Sequence, residues 1–164
     1  MGSPPLFYKW SSKILPWLYI VSIITLGVGL YWGLFYAPTD YKQGDVYRII
    51  FIHVPSAILG QSIFMFMAVC GFINMIWRAK ISGMMLKSAA SIGASFTLLA
   101  LITGSIWGKP TWGTWWVWDA RLTSTLILFF IYAALIGLHS TIDDKTKADR
   151  AVSILSIVGL AIIP

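Results

Sequence analysis

The sequence predicts an all-α integral membrane protein, a multi-span helical bundle, on three observations. Hydrophobic residues make up 58% of the 164 and charged residues only 11%, against roughly 45–50% and 25% in an ordinary soluble domain. Mean hydropathy is +0.79. The apolar residues are gathered into long runs free of charge, and a helix needs about 20 such residues to cross a ~30 Å hydrocarbon core. A soluble monomer is excluded. The length suits one compact unit. No linker-like tract, internal repeat or low-complexity segment divides it, so residues 1–164 read as a single membrane domain.

The first run, 14–36, holds 23 residues without a charge. Lys9 and Lys13 precede it, but a secretory signal has an apolar region of only about 7–15 residues and a small-x-small cleavage site, so the run reads as an uncleaved anchor. The second run, 49–77, carries His53 and Pro55 near its start and Cys70 in its middle. The third and fourth, 88–107 and 122–139, are charge-free. A fifth, 151–164, would cover only ~21 Å at about 1.5 Å per residue. The expectation is four complete spans plus a partial fifth, in a sequence cut off at its C-terminal side.

Lys and Arg in short loops mark the cytoplasmic side. With alternating spans, one side holds Lys9, Lys13, Arg78, Lys80, Lys87, Lys145, Lys147 and Arg150, and the other holds Lys42, Arg48, Lys109 and Arg121. The N-terminus is therefore expected in the cytoplasm and the Trp-rich loop, 108–121, outside. This topology accounts for the formal net charge of +6. No basic stripe interleaved with aromatics points to nucleic acid.

Five of the nine Trp fall between Trp107 and Trp118. Gly108, Pro110 and Gly113 are expected to interrupt any helix through the first half of this segment. From Trp112 onward, helical spacing would set Trp112, Trp115, Trp116 and Asp119 on one face. Two readings stand. Trp favours the membrane interface, where its ring is apolar and its N–H stays wet; alternatively, the indoles form a platform for a flat, apolar, partly anionic ligand whose carboxylates pair with Arg and Lys. Heme has that character, with an iron that takes an axial His. His53, at the outward end of the second span and five residues after Arg48, is the candidate iron ligand, against the plainer reading of a hydrogen-bonded structural histidine. An ionisable residue within a span is in any case a functional candidate.

His139 falls at the cytoplasmic end of the fourth span, a bilayer core of roughly 30 Å from His53, and reads as an interfacial residue. Cys70 is alone and mid-span, whereas thiol redox chemistry and covalent heme attachment need a partner Cys. Asp119 reads first as a helix cap or a partner of Arg121 or Lys109. No nucleotide or zinc motif is present.

The run Trp107-Gly-Lys-Pro-Thr-Trp-Gly-Thr-Trp-Trp-Val-Trp-Asp-Ala-Arg-Leu-Thr-Ser124 closely resembles the WWD signature of heme-handling proteins. Tyr47-Arg-Ile-Ile-Phe-Ile-His-Val-Pro55, with Phe35-Tyr-Ala-Pro-Thr-Asp-Tyr41 upstream, narrows the resemblance to the CcmC family of cytochrome c maturation. It implies a six-span protein of the bacterial inner membrane that holds heme non-covalently at the periplasmic face and passes it to the heme chaperone CcmE, beside an ATP-driven CcmA/CcmB complex and CcmD. Residue by residue, it implies His53 as one axial ligand; Trp112, Trp115, Trp116, Trp118 and Asp119 as the signature; and Arg48 and Arg121 as its cationic neighbours, with Trp107, which opens the run, as a further candidate heme-binding residue. Lys109 stands beside them as a further propionate partner. The family's second axial His lies after the fifth span and so past Pro164. The reading is a binding and transfer protein rather than an enzyme. The rivals are a structural or assembly subunit that retains no heme, a heme lyase, which needs more outward His than this sequence has, and a transporter, for which no mid-membrane polar path is marked.

Overall fold

The computed structural model describes residues 4–163; residues 1–3 and Pro164, the ends of the expected single domain and of the expected fifth run, lie outside them. The described residues form five α-helices: α1 (Pro4–Tyr31), α2 (Ile50–Trp77), α3 (Lys80–Trp112), α4 (Ala120–Thr141) and α5 (Lys145–Val158). A π-helical turn, Trp32–Tyr36, extends α1; 3-10 turns, Asp45–Ile49 and Gly159–Ile162, precede α2 and follow α5. No β-strand occurs among the described residues. Four helices are long and apolar enough to cross a membrane: Pro5–Tyr36, Asp45–Trp77, Lys80–Trp112 and Ala120–Thr141. The protein is a multi-pass membrane protein.

The helices outrun the charge-free stretches because backbone hydrogen bonding, not charge, decides where a helix ends. α3 begins at Lys80 rather than 88, since a Lys near a helix end extends its ammonium toward the interface. α5 begins at Lys145 rather than 151, because the Asp144 carboxylate accepts the Thr146 and Lys147 N–H groups at 2.9 and 3.3 Å. The loop expected over 108–121 is shorter than that. α3 continues to Trp112 through Gly108 and Pro110 and stops at Gly113, whose φ of +79° gives the left-handed turn that closes the helix on the Lys109 carbonyl. Pro110 is tolerated in the last turn, where little ladder remains to be lost.

Helices in a bilayer associate through close packing and hydrogen bonds, not through escape from water. α3 supplies the close approach. Ala90, Gly93, Thr97, Ala100, Gly104 and Gly108 recur every three or four residues and are all buried. Gly60 of α2 faces this stripe so closely that a Cβ there would lie 2.7 Å from Thr97 Oγ1. Tyr132 of α4, fully buried, fits against Gly93 and donates its hydroxyl to the Gly60 carbonyl at 2.7 Å. Phe64, Met67, Leu86, Leu128, Leu135 and Val152 complete the core around it. α5 docks on α2 through polar contacts: Asn74 donates to Ser153 Oγ at 3.0 Å, and Gly71 leaves room for the Ser156 hydroxyl.

A Cβ at Gly93 would strike the Tyr132 ring. Gly93→Val is therefore expected to cost about 1–3 kcal/mol through overpacking, read as an earlier thermal melt in detergent. An unchanged melt would show that α3 and α4 can part at this point.

Candidate functional site

His53 stands in the first turn of α2, and α3 orients it. Its Nδ1 lies 3.0 Å from the Ala100 carbonyl and 3.1 Å from Thr103 Oγ1. A carbonyl only accepts, so this geometry assigns the proton to Nδ1 and leaves the lone pair on Nε2. Nε2 has no hydrogen-bond partner among the described residues, and the imidazole forms part of a cavity wall. From behind, the ring rests on Gly104, where a Cβ would come within 2.9 Å of Cε1. Trp107 meets it edge-on, with ring centroids 5.6 Å apart at 65°. The Trp107 indole N–H donates in turn to Gln43 Oε1 at 2.8 Å, tying the segment before α2 to α3.

The cavity measures about 320 Å³ and lies between α2, α3 and α4; its wall includes His53, Gln61, Trp107, Trp112, Arg121 and Thr125. That volume falls within the range of small-molecule sites. Arg121 carries its charge. The guanidinium lies 5.8 Å from the centroid of the Trp112 ring and 3.6 Å from Asp119 Oδ2, with its side chain 68% exposed. The other Asp119 oxygen accepts the Leu122 N–H at 2.7 Å and caps α4. One carboxylate thus starts the helix and holds the arginine at the cavity mouth, so both readings of Asp119, as cap and as ion-pair partner, hold together.

Not every expected site residue gathers here. Arg48 lies off the cavity wall and donates to the Leu34 and Ala37 carbonyls at 2.8 and 3.1 Å, clamping the end of the π turn, with Asp45 at 3.4 Å. Lys109 donates to the Gly113 carbonyl at 3.1 Å and closes α3. The single helical face expected for Trp112, Trp115, Trp116 and Asp119 does not form. Trp112 is the last residue of α3, residues 113–119 are not helical, and Asp119 precedes α4. Trp116 instead packs edge-on against Trp118 at 5.5 Å, with its indole nitrogen buried and without a hydrogen-bond partner among the described residues. Trp115 and Trp118 are exposed and lie away from the cavity wall. The physical reason is the left-handed Gly113, which redirects the chain one residue after Trp112.

His139 is more enclosed than an interfacial residue: its side chain is 9% exposed and its Nδ1 lies 3.9 Å from Asp149 Oδ1. Cys70 is buried and unpaired. Four contributors escaped the sequence reading: Gln43, Gln61, Thr103 and Gly104. Gln61 had a signal, since His53, Ala57 and Gln61 follow at i, i+4 and i+8 on one face of α2. Gln43 had none, because a loop glutamine carries no periodicity.

A family model described as CcmC, heme exporter protein C, matches residues 1–164. Among similar proteins, heme exporter protein C of Escherichia coli (strain K12) is 49% identical over 164 residues, all of this chain and 67% of its own length. That of Haemophilus influenzae is 43% identical over 163 residues, 99% of this chain and 66% of its own. That of Bradyrhizobium diazoefficiens is 44% identical over 164 residues, 100% of this chain and 62% of its own. The chain thus spans about two thirds of the length of these relatives.

Proposed function

This chain belongs to the CcmC family, the heme exporter C proteins of cytochrome c maturation, and from that premise we propose that it binds heme reversibly at the periplasmic face of the bacterial inner membrane and presents it to the chaperone CcmE. CcmA/CcmB and CcmD are its proposed neighbours in the complex. The observation that carries the reading is the imidazole of His53, locked at Nδ1 by Ala100 and Thr103 with Nε2 free at a cavity wall. A metal-binding His commonly has its second nitrogen hydrogen-bonded to a carbonyl or carboxylate in this way.

Heme supplies an iron for an axial imidazole and two carboxylates for cations. The residues present fit it. Gly104 gives the His53 imidazole the space that a Cβ would fill. Trp107 and Trp112 give the apolar aromatic wall, and Arg121, steadied by Asp119, offers the guanidinium that pairs with a carboxylate. Arg48 and Lys109 serve this site indirectly, by fixing the backbone at its two sides. Trp115, Trp116 and Trp118, outside the cavity, suit contact with the receiving chaperone. The role is binding and release, with no bond of the macrocycle made or broken.

Titrating ferric heme into the detergent-purified chain tests the reading: a saturable Soret band is expected, and its absence would leave an assembly subunit that retains no heme. Arg121→Gln should weaken heme binding roughly ten-fold, the scale of one lost charge-assisted hydrogen bond. It should leave the affinity for heme dimethyl ester nearly unchanged. Equal losses for acid and ester would remove Arg121 from the carboxylate contact.

A further inference from the structure

The opposite end of the bundle holds a second and larger cavity. It measures about 400 Å³, where α2 ends and α3 and α5 begin, and its wall includes Asn74, Met75, Arg78, Lys80, Asp149 and Arg150. Three cations face it against one carboxylate. That carboxylate lies 3.9 Å from His139 Nδ1, and the Asp149 carbonyl accepts from Asn74 and Ser153. The side chains of Arg78, Lys80 and Arg150 make no ion pair or hydrogen bond among the described residues.

Arg78 supplies an independent observation. It is the one non-glycine residue with positive φ among the described residues, at φ 49° and ψ 40°, where it closes α2. Helices that end in this conformation usually place Gly there, because a Cβ is crowded by the neighbouring carbonyl. Keeping an arginine at a glycine position accepts backbone strain for the sake of the side chain, and that side chain lines the cavity. The start of α3 adds to the positive field. Its N-cap, Ala79, offers no capping side chain, whereas Asp119 and Asp144 cap α4 and α5. An uncapped helix N-terminus favours an anion.

We propose that this cavity binds the phosphate headgroup of an anionic membrane lipid. The membrane source follows from its surroundings. The cavity sits at the end of a membrane-crossing helix, Met75 lines it, and Ile76 and Trp77 stand exposed beside it at 53% and 67%. A ligand that carries its own acyl chains can lay them along that apolar flank while its phosphate meets the cations. Basic pockets between transmembrane helices are a known kind of lipid headgroup site.

The test reconstitutes the full chain into phosphatidylcholine nanodiscs, with or without phosphatidylglycerol, and measures retained lipid by native mass spectrometry after transfer to detergent. The wild type is expected to retain phosphatidylglycerol over phosphatidylcholine. Arg78→Gly should weaken that retention roughly five-fold, and the triple change Arg78→Gly, Lys80→Ala, Arg150→Ala about a hundred-fold, the scale of three basic contacts at a membrane surface. Arg78→Gly also relieves the strained backbone, so its thermal midpoint in phosphatidylcholine should equal or exceed the wild type's, which separates binding from folding. Wild-type retention by the triple variant would overturn the proposal. So would binding of inorganic phosphate by a wild type that shows no preference for phosphatidylglycerol over phosphatidylcholine, which would reassign the site to a free anion.

Discussion

Heme binding by His53→Ala is expected to fall by at least about a hundred-fold, since changes merely adjacent to a metal ligand already cost 10–100-fold. The residual Soret band should also shift, because the iron loses its imidazole. The fold should survive: Thr103 Oγ1 still donates to the Leu99 carbonyl at 2.7 Å, so the lost contact is worth about 1 kcal/mol. Exogenous imidazole added to His53→Gly should restore part of the band by filling the vacated position. A Soret maximum and heme content matching the wild type would take His53 out of the site.

Gly104→Val should weaken heme binding on a similar scale without touching a ligand. The new side chain begins 2.9 Å from His53 Cε1, on a helical backbone that cannot retreat because α2 packs against it. The imidazole has to swing away, and its 3.0 Å bond to the Ala100 carbonyl breaks. Orientation is then lost along with the choice of tautomer, and affinity should drop about 10–100-fold. Gly137→Val is the matched control. It makes the same substitution in a membrane helix, where a Cβ meets nothing within 4 Å. If both variants bind heme like the wild type, the role of Gly104 behind the imidazole is wrong.

The membrane spans were legible because charge is nearly absent from them, and His53 stood out as the ionisable residue near the start of one. Arg48 and Arg121 were not separable in the sequence. Each is one cation beside the start of a membrane helix, and what divides them is a pair of carbonyls, Leu34 and Ala37, that a π turn places within reach of Arg48 alone. The Trp segment misled for a related reason. Gly108, Pro110 and Gly113 all read as breakers, yet only Gly113 adopts a left-handed turn; Gly108 serves packing, lying under the Trp112 ring with the Thr114 carbonyl close by. Local residue preferences name the places where a helix can stop, and tertiary contacts choose among them.

α1 shows a different division. From Pro5 to Tyr31 its side chains are exposed along nearly the whole length, and none of these is buried. It joins the bundle where the turn after it meets α2, through Gly33 against Phe51 and the two hydrogen bonds of Arg48. In mechanical terms it is a lever held by a single pin. A bilayer of different thickness would change its tilt, and the load would fall on that pin, a short way along the chain from Gln43 and so from the indole that braces the imidazole.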